Sequence, residues 1–170
     1  MSVRTLVPAV AVSAAVLVTV VASGAAEDGH AGRPGATVVV RVVDGDTVVV
    51  HLPEGEETLR LVGIDTPETV KPNAPVECFG PEASARTKAL LPPGTPVRLE
   101  RDLEARDRYG RLLAYVYRRP DDLFVNLSLA ADGYARPLSI PPNVAYSDRF
   151  AGAVAEARRA RRGLWGACPG

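Results

Sequence analysis

The chain has 170 residues, and its 20 basic residues balance 20 acidic ones, so the formal net charge at pH 7 is zero. This length favours a single domain. The zero net charge excludes a protein that holds nucleic acid through its overall electrostatic field. Any nucleic-acid partner would therefore have to be bound at a local site.

The first 26 residues have the layout of a secretory signal peptide. Arg4 precedes an almost unbroken apolar stretch from Leu6 to Val21, and small residues follow up to Ala26, as they do before a cleavage site. A retained membrane anchor is the alternative, because this stretch is close to the shortest that crosses a bilayer, about 17 residues. We therefore expect a secreted protein without stable membrane association, or a membrane-anchored one if the segment is retained.

The rest of the chain divides into a short lead-in and one domain. Residues 27–36 contain Gly, Ala and Pro without periodicity, which predicts a flexible lead-in. Residues 37–170 predict one folded domain, and this length is enough to bury a core.

The chain has two cysteines, Cys78 and Cys168. In an exported protein, a single pair of thiols favours one disulfide, and two unpaired thiols are the alternative. A metal site built on these cysteines is not expected, because there is no Cys-x-x-Cys spacing and both histidines, His30 and His51, lie elsewhere. Neither cysteine belongs to the catalytic residues assigned below, so we expect the bond to affect stability far more than chemistry.

Five segments predict β-strands from their β-branched and alternating apolar residues. In the third strand, alternation places Arg60 on the opposite face from its two leucine neighbours. Gly45, between two aspartates, indicates a bulge or a sharp bend, and the turn-forming residues 53–56 make the second and third strands antiparallel. The predicted strands span residues 37–43, 47–52, 58–64, 96–101 and 111–117.

Three segments predict helices. The first begins with Pro81 and Glu82, because proline fits a first turn and an acid suits the helix dipole there. Asp121 or Asp122 is predicted to cap the second helix, and Gly133 to follow its end. The third helix carries five arginines, which predict a solvated face or, alternatively, a patch that faces a substrate. The predicted helices span residues 80–91, 123–131 and 146–162, with loops at residues 70–79 and 137–143.

The order of these elements predicts the fold class. Five short strands, with one helix after the third strand and two more near the end of the chain, predict an α+β protein. They match the OB-fold, a five-stranded, partly open Greek-key β-barrel, here with three α-helices. Barrels of this kind bind nucleic acids and oligosaccharides on one face.

Five short motifs follow one another along the chain, and each taken alone has an ordinary explanation as a turn, a hairpin or a helix start. They are residues 42–48 (VVDGDTV), 59–68 (LRLVGIDTPE), 79–84 (FGPEAS), 107–115 (DRYGRLLAY) and 163–165 (GLW). Their combination and order are specific. With these motifs the chain resembles the staphylococcal nuclease (thermonuclease-like) family from about residue 38 to residue 165.

The resemblance implies a Ca²⁺-dependent phosphodiesterase on an OB-fold. Asp46 and Asp65 match the family's calcium carboxylates, and Thr66 matches the position that gives a backbone carbonyl to the ion. Calcium takes several oxygen ligands, so two carboxylates, a carbonyl and waters suit it. Asp44 either helps to shape this site or only holds the bend.

The same resemblance implies an endonuclease that hydrolyses DNA and RNA and leaves 3′-phosphate products. Glu68 matches the proposed general base, and Arg60 and Arg111 match the two arginines that grip the scissile phosphate. The residue types agree with these roles, because a carboxylate near a water can take its proton. Arginine forks offer paired donors to phosphate oxygens and stabilise charge in the transition state.

The nucleotide contacts depart in part from the family pattern. Tyr109 would contact a nucleotide or brace its own turn. The family's two tyrosines after the second helix correspond to Ser139 and Pro141 here. Tyr134 and Tyr146 lie nearby along the sequence, where either could substitute, although core packing is the favoured role of Tyr134.

The expected partners are DNA and RNA substrates, and the expected state is a monomer with no obligate protein partner. One alternative is a non-catalytic OB-fold that binds nucleic acid or glycan. Another is a nuclease-like domain with a structural role in a cell envelope. Arg60, Glu68 and Arg111 favour the enzyme, because a binding module gains little from a base and two arginines beside two carboxylates.

Overall fold

The computed structural model describes residues 36–69, 75–119 and 121–169. The predicted signal peptide, residues 1–26, lies outside the described residues, as does the predicted lead-in except for Ala36. None of the helices within the described ranges combines the length and the apolar character needed to cross a membrane.

The described residues form eight strands and four helices. Along the chain they are β1 (Val38–Asp44), β2 (Thr47–Leu52), β3 (Gly55–Leu61), β4 (Gly63–Asp65), α1 (Gly80–Leu90), β5 (Val97–Glu100), β6 (Leu112–Arg118), β7 (Leu123–Phe124), α2 (Val125–Ala131), β8 (Arg136–Leu138), α3 (Ser147–Arg159) and α4 (Leu164–Ala167).

The five longer strands form the predicted barrel. Their order is β1-β2-β3-β6-β5, in which only the β3–β6 pair is parallel. The two outer strands meet through a bridge between Val38 and Pro96, with backbone bonds from Val39 N–H to the Thr95 carbonyl and from Val97 N–H to the Thr37 carbonyl. This closure and this strand order confirm the α+β class and the OB-fold.

The barrel interior is filled by aliphatic side chains and one aromatic cluster. Leu59 and Leu61 have no exposed surface, so each contributes about 1.5–3 kcal/mol through burial, and Arg60 between them faces the other way, as predicted. The aromatic cluster joins the barrel to α3 through edge-on and stacked ring contacts. Its members are Tyr115, Phe124, Tyr146 and Phe150.

The predicted third strand, residues 58–64, is wrong at both ends. β3 begins at Gly55, because the turn before it needs only two residues, and it ends at Leu61. Gly63 has a φ of 85°, and a Cβ atom there would overlap the Phe150 ring. The chain therefore turns sharply at Gly63, and the residues that follow form the separate strand β4.

The start of the predicted loop at residues 137–143 is also wrong. Pro137 and Leu138 belong to β8, which pairs with β4 and places Arg136 directly opposite Asp65. Proline is tolerated there because this two-stranded sheet is all edge. The pairing joins distant segments, so no local sequence pattern indicated it.

The predicted cap of the second helix is wrong. Asp122 has a φ of 52°, and the next two residues form β7, which pairs with the end of β6. Helix α2 therefore starts at Val125, after Phe124, without a side-chain cap. Helices α1 and α3 start near their predicted positions, and Pro81 and Glu82 lie in the first turn of α1 as expected. Helix α3 ends at Arg159 and not at residue 162, and the short helix α4 was not predicted.

The predicted disulfide between Cys78 and Cys168 is present, with a Cα–Cα distance of 5.9 Å across 90 positions. It joins the segment that leads into α1 to the residue that follows α4.

Candidate active site

Three acids and an arginine converge where the β1–β2 turn meets the break between β3 and β4. We call Asp44, Asp46, Asp65 and Arg60 the acidic corner. Asp44 pairs with Thr47, so the predicted bend at Gly45 is a two-residue turn. A Cβ atom at position 45 would lie 2.6 Å from Thr66 Oγ1, and only glycine permits this close approach.

Arg60 lies at the centre of the acidic corner. Its Nη1 donates to the carbonyl oxygens of Leu61 at 2.7 Å and Ile64 at 2.9 Å, because the turn at Gly63 wraps the backbone around the guanidinium. Its Nη2 lies 3.1 Å from Asp65 Oδ1 and 3.2 Å from Asp46 Oδ2. The side chain is only 13% exposed, so the guanidinium is held in one orientation between two carboxylates.

The two carboxylates of the β1–β2 turn are held by different partners. Asp46 Oδ2 accepts bonds from the Thr66 N–H at 2.8 Å and the Thr66 hydroxyl at 3.0 Å. Asp44 accepts from the Gly45 N–H and from the Thr69 hydroxyl, both at 2.7 Å. Asp44 therefore holds the turn and fixes the far end of the segment that follows β4.

Burial raises the pKa of the Asp65 carboxyl, and the negative charge of Asp46 raises it further, against the opposing charges of Arg60 and Arg136. The corner thus brings two carboxylates together at an electrostatic cost that the nearby arginines only partly offset. A bound cation would remove that cost.

The donor set fits calcium better than a metal held by side chains alone. Among the described residues no three His, Cys, Asp or Glu side chains form a metal-binding group. Two carboxylates leave several positions to backbone oxygens and water, an arrangement that calcium accepts. Asp46, Asp65 and the carbonyl of Thr66 are the groups that would hold the ion.

Glu68 lies three residues after Asp65 on the segment that leaves the acidic corner. Its Oε1 accepts a bond from the Thr69 N–H at 2.9 Å, and its backbone carbonyl accepts from the Glu77 N–H at 2.9 Å. Glu68 as a residue is partly buried. The candidate base is therefore held on the same short segment as two of the candidate calcium ligands.

Arg111 lies at the end of a tight turn, residues 107–111, which we call the Arg111 turn. Asp107 Oδ1 accepts from the N–H groups of Tyr109 and Arg111, and Oδ2 accepts from Arg111 Nε at 2.7 Å. Burial alone would raise the pKa of the Asp107 carboxyl, but the bonds from Arg111 and Tyr109 hold the pKa below its ordinary value. Asp107 thus orients Arg111 through Nε.

Arg60 of the acidic corner and the Arg111 turn line one cavity of about 510 Å³, whereas Asp46, Asp65 and Glu68 are not among its lining residues. The parallel pairing of Arg60 with Leu113, two residues after Arg111, brings the two regions together. Arg60 and Arg111 line the cavity with Tyr109, and Leu138 and Ile140 form part of an apolar wall. Such a cavity can hold a phosphate at its two guanidinium groups. An apolar or planar group of the same substrate can lie beside that phosphate.

Tyr109 is the tyrosine that the structure places at the cavity. Its ring is 68% exposed, and the guanidinium of Arg108 lies 4.8 Å from the ring centroid. Ser139 donates to Ser147 instead. Pro141 is exposed and does not line the cavity.

The two tyrosines considered as substitutes are used elsewhere. Tyr134 packs against Phe79 and the core, as favoured from the sequence. Tyr146 donates to Glu100 at 2.6 Å and packs edge-on against Tyr115. The cavity therefore has an aliphatic side chain, Ile140, between the two positions where the family pattern has tyrosines.

The predicted basic face of the third helix does not reach this cavity. Its arginines are exposed. Arg162 donates to Glu156 and to the Ala131 carbonyl, and Arg158 lies over the Trp165 ring. These contacts agree with the solvated-face interpretation.

Sequence reasoning missed three residues that shape the site. Thr69 holds Asp44, Asp107 orients Arg111, and Arg136 lies across the β4–β8 ladder from Asp65. The Asp107 contact had a local signal, since an aspartate at the start of a turn often binds backbone N–H groups two residues on. The other two depend on distant segments and had none.

Comparisons with known proteins agree with this architecture. A family model described as staphylococcal nuclease homologue matches residues 58–167. The chain is 44% identical over 127 residues to the thermonuclease of Staphylococcus hyicus, covering 75% of this chain and 73% of the relative. It is 45% identical over 128 residues to the thermonuclease of Staphylococcus intermedius, covering 75% of this chain and 74% of that relative.

A third relative is an endonuclease. The chain is 41% identical over 127 residues to the endonuclease YncB of Bacillus subtilis (strain 168), and the alignment covers 74% of this chain and 59% of that protein. The family model spans more than half of the chain, and both staphylococcal relatives align over most of their own length. The chain therefore belongs to the staphylococcal nuclease homologue family.

Proposed function

We propose that this protein is a secreted, Ca²⁺-dependent nuclease that hydrolyses phosphodiester bonds in DNA and RNA. The observation that carries the proposal is the cavity lined by both Arg60 and Arg111, in which Arg60 is also paired with the carboxylates of Asp46 and Asp65. The relatives are a thermonuclease and an endonuclease, which supports the same reaction class.

The two arginines bind the scissile phosphate in this proposal. Arg60 is fixed by backbone carbonyls and carboxylates, and Arg111 is oriented by Asp107 through Nε. Guanidinium groups that are already oriented need no reorganisation as negative charge develops on the phosphoryl oxygens. Both therefore stabilise the transition state more than the ground state.

Glu68 is the proposed general base. It lies on the segment that follows Asp65 and Thr66, and a carboxylate close to an attacking water can accept its proton. Calcium bound by Asp46, Asp65 and the Thr66 carbonyl would polarise a phosphate oxygen. We further propose cleavage of the bond to the 5′ oxygen, with 3′-phosphate products.

A binding module without catalysis is the second candidate, because OB-folds hold single-stranded nucleic acids in grooves of this kind. It explains the cavity and the exposed Tyr109. It does not explain the two carboxylates of Asp46 and Asp65 held beside Arg60, because negative charges repel a polyanion.

The test is cleavage of plasmid DNA and of RNA by the protein purified from an oxidising compartment, with calcium present. The comparison includes Glu68→Gln and the matched control Glu56→Gln, which changes an exposed glutamate on β3 away from the cavity. We expect the wild type and the control to cleave both substrates, and Glu68→Gln to lose most of the rate. Binding of nucleic acid without cleavage by the wild type would favour the binding module.

A further inference from the structure

Residues 77–80, which lead into α1, contact the backbone of Glu68. We call these four residues the brace. The Glu77 N–H donates to the Glu68 carbonyl at 2.9 Å, and the Gly80 N–H donates back to the Glu77 carbonyl at 3.0 Å. The brace therefore bonds to the backbone of the proposed general base itself.

Gly80 packs against the same backbone more closely than any other residue type could. A Cβ atom at position 80 would lie 2.8 Å from Thr69 Cγ2 and 2.9 Å from the Glu68 carbonyl oxygen. Gly80 is the first residue of α1, and its φ lies outside the left-handed region. Glycine is needed here for the close approach to Glu68 and not for an unusual backbone conformation.

The other side of Glu68 is fixed by the acidic corner. The Thr69 hydroxyl donates to Asp44 at 2.7 Å, and the Thr69 N–H donates to Glu68 Oε1 at 2.9 Å. Glu68 thus lies between a threonine held by Asp44 and the brace. Asp65 belongs to β4, and Thr66 is bonded to Asp46. Displacing the brace would therefore move the backbone of Glu68 relative to these two residues.

The brace is fastened to the C-terminal part of the domain. Cys78 is bonded to Cys168, the Phe79 ring lies 5.4 Å from the Tyr134 ring, and Glu77 lies 3.7 Å from Arg136. Helix α4, just before Cys168, is itself tied down by the bond from the Leu164 N–H to the Gly133 carbonyl. The disulfide therefore connects a fixed C-terminal anchor to the backbone that carries Glu68.

We propose that the brace, through Gly80 and the Cys78–Cys168 disulfide, is a positioning element that sets the reach of the Glu68 carboxylate. This inference rests on the proposed function, because it concerns the residue assigned as the general base. It revises the expectation that the disulfide serves stability far more than chemistry. A misplacement of about 1 Å at a reacting group can lower a rate by about a hundredfold.

The first test is Gly80→Ala, with Gly152→Ala in α3 as the matched control. A Cβ atom at position 152 meets nothing within 4 Å, and alanine favours both helices. We expect Gly80→Ala to lower kcat by about 10-fold to 100-fold, the range a displaced reacting group produces, while KM stays close to the wild-type value. Gly152→Ala should keep both constants.

A rescue separates positioning from general damage to the fold. Thr69→Ser removes the methyl group that the new Cβ would strike and keeps the hydroxyl that binds Asp44. In the Gly80→Ala background it should restore part of kcat. The Cys78→Ser/Cys168→Ser double variant, which introduces no clash, should also lower kcat at a temperature well below its melting point.

The outcomes distinguish this inference from the proposed function. If the wild type and Gly152→Ala cleave nucleic acid but Gly80→Ala and the double serine variant match them in kcat, the brace does not position Glu68 and the inference is overturned. If Thr69→Ser leaves the kcat of Gly80→Ala unimproved, the part of the effect assigned to the Thr69 methyl group is rejected. If the wild type itself does not cleave with calcium, the proposed function fails, and the inference fails with it.

Discussion

Arg60 and Arg111 line one cavity, but the acidic corner that holds Arg60 and the turn that holds Arg111 are built in opposite ways. Arg60 is 13% exposed and bonds to two backbone carbonyls and two carboxylates from three separate segments. Arg111 is 31% exposed and is held by Asp107, four positions earlier in the same turn. The corner therefore exists only in the folded barrel, whereas the turn is local in the sequence.

This contrast predicts different consequences for two residues with the same proposed task. Removing the guanidinium of Arg60 leaves buried acceptors and two carboxylates without a shared partner, so it damages both catalysis and stability. Removing that of Arg111 leaves a surface turn without one ion pair, so it damages mainly catalysis.

Arg60→Ala should give the largest effect. The rate should fall by at least about 10²–10³, the usual loss for a charge-stabilising donor, and the free energy of unfolding should fall by about 1–3 kcal/mol, as for buried groups left unpaired. Arg60→Lys should fail similarly, because a point charge cannot serve four acceptors. Steady-state kinetics and urea unfolding measure both effects; a fully active Arg60→Lys variant would reject the assigned role.

Arg111→Ala should lose rate to a similar extent and keep most of its stability. The pair with Asp107 is partly buried, but Asp107 keeps its bonds from two backbone N–H groups, so the urea midpoint should move less than in Arg60→Ala. Arg159→Ala, which removes an exposed arginine of α3, is the matched control and should retain activity. Equal destabilisation by Arg60→Ala and Arg111→Ala would contradict the contrast between the two regions.

The smallest expected effects are changes in the free energy of unfolding, and these have opposite signs for Asp65 and Asp107. The pKa of Asp65 is raised above 3.8 in the folded protein, so its ionisation lowers stability as pH rises through that raised pKa. The pKa of Asp107 is lowered below 3.8, so its ionised form contributes stability above 3.8 that is lost as pH falls through the lowered pKa. In chelator at pH 7, Asp65→Asn should therefore stabilise the protein and Asp107→Asn should destabilise it.

Urea unfolding of Asp65→Asn and Asp107→Asn at pH 7, with chelator present, measures both changes in the free energy of unfolding. The side chain of Asp65 is half exposed, so solvent screening reduces its effect on the free energy of unfolding. We therefore predict only the direction of that change. If both variants changed the free energy of unfolding in the same direction, the acidic corner would not hold its ionised carboxylates at an electrostatic cost.

The local parts of this site were readable from the sequence. Alternation placed Arg60 on the face opposite Leu59 and Leu61, and turn chemistry placed Gly45 at a bend. The family resemblance, which rests on the order of the motifs, identified the candidate calcium ligands and both arginines. Each of these depends on residues that are close along the chain or on a pattern that the family shares.

The remaining parts depend on contacts between distant segments. The break after β3 arises because Phe150 packs against Gly63, and neither residue alone indicates it. Arg136 faces Asp65 only because β8 pairs with β4. The aspartates before α2 looked like caps, but the β6–β7 pairing moved the helix start to Val125.

The most direct test of the account is the cleavage rate as a function of calcium concentration for the wild type and for Asp46→Asn. We expect the wild-type rate to saturate with calcium, to fall to background in chelator and not to be restored by magnesium, because magnesium keeps its waters and demands a tighter octahedron. Asp46→Asn should need far more calcium for half of its maximal rate. Wild-type cleavage that persists in chelator, equal cleavage with magnesium, or an unchanged calcium requirement in Asp46→Asn would contradict the account.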